Sequence, residues 1–84
     1  MPEAFPCLAL ALKAARTGGT AGAVLNGANE AAVSLFLEKK IGFMDIARRV
    51  AYAMEQVKPV SDPTLEDVLQ ADKLAREAVM SLPF

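Results

Sequence analysis

Residues 20–40 read TAGAVLNGANEAAVSLFLEKK, and the distribution of apolar residues along this stretch decides the fold. At roughly 100° per residue, the rotation of an α-helix, apolar side chains cover one broad face of the stretch. A second stripe mixes polar with apolar groups, so little of the helix surface is left for solvent. Because a helix that is apolar nearly all round is usually buried, we expect a central helix whose amides and carboxylate need partners.

The three sides of this helix differ in composition. The apolar face, which we predict to join the core, consists of Ala21, Val24, Leu25, Ala28, Ala31, Ala32, Leu35 and Phe36. The second stripe consists of Asn26, Asn29, Glu30, Val33 and Leu37. The outer face consists of Ala23, Gly27, Ser34 and Glu38.

The composition narrows the classes of function open to this chain. Its 84 residues are 54% hydrophobic with a net charge of −1, which predicts a folded domain and provides no basic stripe for nucleic acid. No apolar run reaches the roughly 18–20 residues that span a bilayer, and the N-terminus lacks the basic start and long apolar block of a signal peptide. We therefore expect a cytoplasmic protein without nucleic-acid or membrane partners. One cysteine and no histidine argue against a transition-metal site and against Ser-His or Cys-His catalysis.

Glycine, proline and capping residues divide the chain into four predicted helices. They cover about residues 6–17, 21 to 39 or 40, 43–57, and 65 to 80 or 82. Gly18 is the expected left-handed cap of the first helix and Thr20 the N-cap of the second, while Thr64 and Asp67 approach a capping box. No stretch alternates with the period of two that marks a strand. The predicted fold is all-α, a compact four-helix bundle formed by a single domain of residues 1–84, with mainly antiparallel neighbours.

The other helices also show amphipathic spacing. In the first helix the predicted inner face is Leu8, Ala11, Leu12 and Ala15, broadened by Cys7 and Leu10. In the third it is Phe43, Ile46, Ala47, Val50, Ala51, Met54 and Val57, opposite an outer face of Arg48, Arg49, Glu55 and Gln56. In the fourth it is Leu65, Val68, Leu69, Ala75, Ala78 and Val79. Asp72 and Arg76 can pair one turn apart, and Gly22 and Gly27 predict an irregular turn or a close approach of another backbone.

Several features could carry chemistry, and each has a simpler structural interpretation. Gly18, Gly19 and Thr20 precede a helix and could bind a phosphate, but without a lysine or a preceding strand a helix-to-helix turn is favoured. Cys7 is expected to be a packed thiol. The carboxylates fall on different helices, which favours salt bridges, caps and solvated faces: Glu30, Asp45, Glu66, Asp67 and Asp72. We therefore assign no catalytic, cofactor-binding or metal-binding residue to this chain.

Asn26, Asn29 and Glu30 form the cluster that we retain as a candidate site. At three- and four-residue spacing, Asn26 can reach both of the others on one helical face. The cluster can serve as a hydrogen-bonding network that fixes the register of the helix. Alternatively, it can bind the backbone of a neighbouring domain, and the sequence leaves both interpretations open.

A series of sequence blocks resembles the C-terminal domain of the 1-deoxy-D-xylulose-5-phosphate reductoisomerase family. The blocks are FPCL at 5–8, GGTA at 18–21, VLNGANE at 24–30, FL at 36–37, IGFMDI at 41–46 and TLEDVL at 64–69. They span nearly the whole chain in the right order. The sequence departs from the family at Gly27, where alanine is frequent, and at Gly22, where proline is frequent.

The resemblance implies a larger enzyme. In this family a nucleotide-binding domain and a central catalytic domain precede the helical domain, and the enzyme isomerises deoxyxylulose phosphate and reduces the product with NADPH to methylerythritol phosphate, for isoprenoid biosynthesis. The implied cofactors, NADPH and a divalent metal (Mg²⁺ or Mn²⁺), are held outside the helical domain. The implied partner is the catalytic domain of the same enzyme, which is expected to be a homodimer in the cytoplasm, or in the plastid for a plant source.

Two hypotheses about this chain remain. In the first it is the C-terminal docking domain of the reductoisomerase and is inactive alone. In the second it is a stand-alone helical protein-interaction module. An in-frame nucleotide-binding domain encoded upstream of Met1 would decide for the first.

Overall fold

The computed structural model describes residues 6–83, and the side chains of residues 8–83. Within this part the chain forms α1 (Pro6–Thr17), α2 (Ala21–Leu37), α3 (Phe43–Gln56) and α4 (Leu65–Ser81), and no strand. The predicted all-α, four-helix fold is therefore confirmed. The predictions for residues 1–5 and for the thiol of Cys7 lie outside the described residues.

α2 and α3 each pack against all three other helices, and the contacts of α2 with α3 and α4 are the most extensive in the fold. α1 contacts α2 and α3 but does not reach α4 within the described residues. The buried core is built from small and β-branched side chains of α2, α3 and α4 together with Leu35. Its members are Val24, Ala28, Ala32, Leu35, Ile46, Val50, Ala53, Val57, Ala71, Ala75 and Val79.

Helix directions follow from the contacts between helices. The rings of Phe36 and Phe43 lie 5.8 Å apart at the turn from α2 to α3, as expected for consecutive antiparallel helices. α2 and α4 run in the same direction, because Gly27 lies beside Asp72 and Glu30, further along α2, pairs with Arg76, further along α4. The antiparallel prediction thus holds for α2 and α3 but not for α2 and α4.

Two hydrogen bonds fasten the α1–α2 turn to the linker between α3 and α4. The N–H of Thr20 donates to the carbonyl of Val60 (3.1 Å), and the N–H of Val60 donates to Thr20 Oγ1 (2.8 Å). A Cβ at Gly19 would clash with the same carbonyl oxygen, so only glycine allows this approach. Thr20 is 1% exposed, and its side chain makes no capping bond to α2. Thr20 is therefore the N-cap residue of α2, as predicted, but its hydroxyl accepts from the Val60 N–H across the fold instead of from an N–H of the helix.

At most of the other helix ends, the structure has the caps that the local sequence predicts. Gly18 has a φ of +73°, as expected for a left-handed cap. Thr64 and Asp67 form the predicted capping box through bonds of 3.0 and 3.1 Å. α2 stops at Leu37, earlier than predicted, because Lys39 takes a φ of +63° and reverses the chain.

Asp45 caps α3 from within its first turn. One of its carboxylate oxygens accepts from the N–H of Gly42 at 2.9 Å, and the other pairs with Arg48. The Gly42 N–H, and then the Arg48 guanidinium, lower the pKa of Asp45 below its ordinary value. The predicted first-turn anion is therefore held in its charged form.

Arg49 corrects the predicted outer face of α3. Its side chain is only 5% exposed and donates to the carbonyls of Val79 (2.7 Å), Leu82 (3.0 Å) and Pro83 (2.7 Å). The last carbonyls of a helix lack partners within the helix and favour a nearby cation. Arg49 is buried because it satisfies these groups at the end of α4.

Other predicted faces are also corrected. Gly27, placed on the outer face of α2, is buried against α4. Several apolar residues that were predicted to face inward are exposed, because no described element covers their side of the helix. They are Leu8, Leu12, Ala15, Phe43, Leu65 and Leu69.

The contact between Thr20 and Val60 can be tested by replacing Thr20 with valine. Thr20→Val keeps the volume but leaves the Val60 N–H without its acceptor, so we expect a loss of about 1–2 kcal/mol in the free energy of unfolding, measured by denaturant titration. Thr17→Val is the control: its exposed hydroxyl bonds only to the carbonyl of Lys13 in its own helix, and we expect a change within about 0.5 kcal/mol. Equal losses in the two variants would contradict the assignment.

Candidate functional site

The three residues of the predicted cluster, Asn26, Asn29 and Glu30, are all exposed on α2. The expectation that this stripe is buried is wrong for these three residues and for Leu37, whereas Val33 is partly buried and packs against the core. α1 covers one flank of α2 and α4 the other, and no described element lies over the stripe between them. The polar groups of the stripe are therefore available at the surface of the fold.

Asn26 and Glu30 belong to a polar network that joins α2 to α4. Asn26 Nδ2 donates to Glu30 Oε2 at 3.0 Å, and the other oxygen of Glu30 lies 3.5 Å from Arg76 Nη2. Arg76 Nε in turn donates to Asp72 Oδ2 at 2.9 Å, and this bond is the main cause of a raised pKa for Arg76. The predicted Asp72–Arg76 pair is confirmed. Because these side chains are partly exposed to solvent, the ion pairs contribute little to stability, and the network links α2 to α4 at the surface of the fold.

Beside the network, α4 comes close to the backbone of α2 at Gly27. A Cβ on Gly27 would lie 2.5 Å from Asp72 Oδ1 and 3.0 Å from the Asp72 carbonyl oxygen. The predicted close approach of another backbone is confirmed at Gly27. It is wrong at Gly22, which is exposed and has no neighbouring atom within 4 Å of an added Cβ.

Asn29 faces a different neighbour, a groove between α1 and α2. This α1–α2 groove has a volume of about 240 Å³ and is lined by Ala11, Leu25, Asn26, Asn29 and Val50. None of these residues is charged, and Val50 is a core residue that is 1% exposed. Within residues 8–83 no hydrogen bond is formed by the side-chain amide of Asn29. Asn26 and Asn29 therefore both line the groove, but only Asn26 is also bonded to Glu30.

The described residues bear on two further predicted features, a metal site and phosphate binding at the turn before α2. No three metal-ligating side chains among residues 8–83 lie close enough together to hold an ion. At the Gly18–Thr20 turn, the N–H groups of Gly18, Thr20 and Ala21 bond to the carbonyls of Ala14, Val60 and Gly18, which supports the turn interpretation over phosphate binding. We derive no reaction step from these residues.

No helix in the described part of the chain is both long and apolar enough to cross a membrane. Exposed apolar side chains lie on α1, α2 and α4, among them Leu8, Leu37 and Leu65. By its fold the described part of the chain is a small all-α domain.

The particular family follows from comparison with known proteins. A family model described as the DXP reductoisomerase C-terminal domain matches residues 1–78. The chain belongs to this family.

Individual relatives agree with the family assignment. The chain is 56% identical over 79 residues to the 1-deoxy-D-xylulose 5-phosphate reductoisomerase of Cupriavidus metallidurans, covering 94% of this chain. It is 51% identical over 78 residues to the enzyme of the same name from Synechococcus sp. strain JA-2-3B'a(2-13), covering 93% of this chain. In both cases it spans only 20% of the length of the relative.

A solved structure shares the fold. The 1-deoxy-D-xylulose 5-phosphate reductoisomerase from Zymomonas mobilis, in complex with NADPH, superposes with a TM-score of 0.88 at 43% identity. The match covers 96% of this chain and 21% of the Zymomonas chain.

Sequence reasoning missed the groove around Asn29. Ala11 and Val50 were predicted to be core residues, and nothing in their local sequence shows that a gap remains between their helices. The available signal was the apolar spacing of Leu8, Ala11 and Leu12, which predicts a covered side of α1 without naming the element that covers it.

The close approach at Gly27 predicts a difference between two glycine variants. Gly22→Ala is expected to stabilise the fold by about 0.5 kcal/mol, because alanine is the better helix former and has room. Gly27→Ala should gain at least about 1 kcal/mol less, because Asp72 must move to admit the methyl group. Denaturant titration of both variants measures the difference in the free energy of unfolding. Equal gains would contradict the prediction, because they would mean that α2 and α4 can move apart without losing stability.

Exposure of Asn29 predicts that its replacement leaves the fold intact. Asn29→Leu should change the free energy of unfolding by no more than about 0.5 kcal/mol, because its amide has no partner in the described part of the fold. Leu35→Ala, which removes a buried side chain from the same helix, should cost about 2–5 kcal/mol. Thermal or denaturant melting compares them, and equal damage would favour a purely structural role for Asn29.

Proposed function

We propose that this chain is the C-terminal docking domain of a 1-deoxy-D-xylulose-5-phosphate reductoisomerase. The complete enzyme isomerises deoxyxylulose phosphate and reduces the product with NADPH to methylerythritol phosphate. The observation that carries the proposal is the family match over residues 1–78, with relatives of which the chain spans 20%. The helical domain itself binds its partner and performs no chemistry.

The cofactors of the complete enzyme are proposed to lie in its other domains. The Zymomonas structure was solved with NADPH, which supports that cofactor for the family. A divalent metal, Mg²⁺ or Mn²⁺, rests on the family resemblance alone. Neither is assigned to a residue of this chain, since the described residues hold no fitting set of ligands.

The proposed partner is the catalytic domain of the same enzyme. Exposed amides and apolar groups on α1 and α2 support docking, with Asn26, Asn29 and Glu30 as the candidate cluster. Packing of α2 against every other helix supports one domain for residues 1–84. We propose in addition that the complete enzyme is a homodimer in the cytoplasm.

The stand-alone interaction module predicts a different experimental result. It shares the exposed surface of the docking domain, but it requires no contact with the other domains of a reductoisomerase. The 20% coverage of the relatives favours the docking domain.

Activity measurements test the proposal. The full-length enzyme that carries this domain should oxidise NADPH when supplied with deoxyxylulose phosphate and Mg²⁺, as followed by NADPH absorbance. The 84-residue chain alone should show no turnover under the same conditions. Turnover by the 84 residues alone, or no turnover by a folded full-length protein, would refute the proposal.

A further inference from the structure

An apolar side of α1 borders the α1–α2 groove and is left uncovered by the described residues. Leu8 and Leu12 are 56% and 52% exposed, and Ala15 is exposed as well. Their three- and four-residue spacing places them on the same side of α1 as Ala11, which lines the groove. The groove and this side of α1 therefore form one continuous, largely apolar surface.

The side chains that line the groove favour an uncharged occupant. Among the described residues, the lining of the groove consists of Ala11, Leu25, Val50 and the amides of Asn26 and Asn29, and none of these side chains could neutralise an ion. A charged ligand would lose hydration there without gaining a counter-charge. A side-chain amide offers two donors and one carbonyl acceptor, which complement the C=O and N–H of a peptide group.

The size of the groove argues for a protein segment instead of a small molecule. Its volume of about 240 Å³ is below the roughly 300–1,000 Å³ that is usual for ligand pockets. A single anchoring side chain with its flanking backbone is a closer fit. The match to this chain covers only 20% of the length of these relatives. The remaining polypeptide of such an enzyme could provide the segment.

We propose that the α1–α2 groove receives one uncharged segment from the remaining polypeptide of the same enzyme. An apolar side chain of that segment packs against Ala11, Leu25 and Val50, and a peptide group of its backbone bonds to the amide of Asn29. Leu8 and Leu12 extend the contact along α1. The inference rests on the proposed function, because it takes its partner from the rest of the reductoisomerase.

The proposal assigns different tasks to the candidate residues. Asn26 donates to Glu30, which also pairs with Arg76, so both residues are engaged with the register of α2 and α4. Asn29 has no such bond in the described part of the chain and lines the groove. Asn29 is therefore the docking residue of the three.

Photo-cross-linking in the full-length enzyme identifies the occupant. Leu8 and Leu12 are replaced, one at a time, by benzoylphenylalanine, and Gln70, exposed on α4, is replaced as the control. After irradiation, both α1 positions should cross-link to one peptide from another domain of the same chain, within a species that keeps the mass of a single chain on a denaturing gel. Cross-links to a second chain, no cross-link, or the same peptide and yield from Gln70 would overturn the proposal.

A charge substitution tests the amide contact separately. Asn29→Asp preserves the shape of the side chain but places a carboxylate against the proposed peptide group, so the cross-link yield from Leu12 should fall severalfold. Ser34→Asp, exposed on the same helix away from the groove lining, should leave the yield unchanged. An unchanged yield in Asn29→Asp would overturn the assignment of Asn29. Cross-linking does not depend on turnover, so an enzyme that turns over without this cross-link refutes the groove proposal alone.

Discussion

Close packing of α2 against α4 is the constraint on which the rest of the fold depends. Gly27 has no side chain to hold the helices apart, and the alanines of the shared core, Ala28, Ala32, Ala71 and Ala75, are all buried. Small residues let two helices approach closely, and α3 then closes the core with larger β-branched side chains such as Val50. Because other helices pack against these sides of α2, its polar stripe faces outward.

The sequence could predict the features that depend on local chemistry. The four helices, the left-handed Gly18 and the Thr64–Asp67 capping box each depend on residues within a few positions of one another. The errors concern partners far along the chain. Arg49 donates to a carbonyl thirty residues away, and the hydroxyl of Thr20 accepts from an N–H forty residues away. No periodic pattern in the sequence around either residue indicates such a distant partner. For Leu65 and Leu69, which are 74% and 61% exposed, the spacing predicts an apolar side but cannot say whether anything covers it.

The surroundings of the candidate site differ from those that the sequence predicts. Asn26, Asn29 and Glu30 share one helical face, and the spacing alone gives them one role. In the fold this face lies between two different neighbours, so Glu30 turns to a guanidinium on α4 while Asn29 lies beside the apolar side of α1. A difference of one residue along α2, a rotation of about 100°, thus separates a residue that pairs with α4 from one that lines the groove beside α1.

The contact between Thr20 and Val60 also matters for how the chain closes on itself. Two hydrogen bonds join residues forty positions apart, so α2, the turn after it and α3 all lie inside a single closed loop. The entropy of closing a loop grows only slowly with its length, so a closure of this span can enclose two whole helices at little extra cost. These bonds fix where the α1–α2 turn meets the linker between α3 and α4, and the contacts of α1 with α2 and α3 hold that helix on the other side of the same turn.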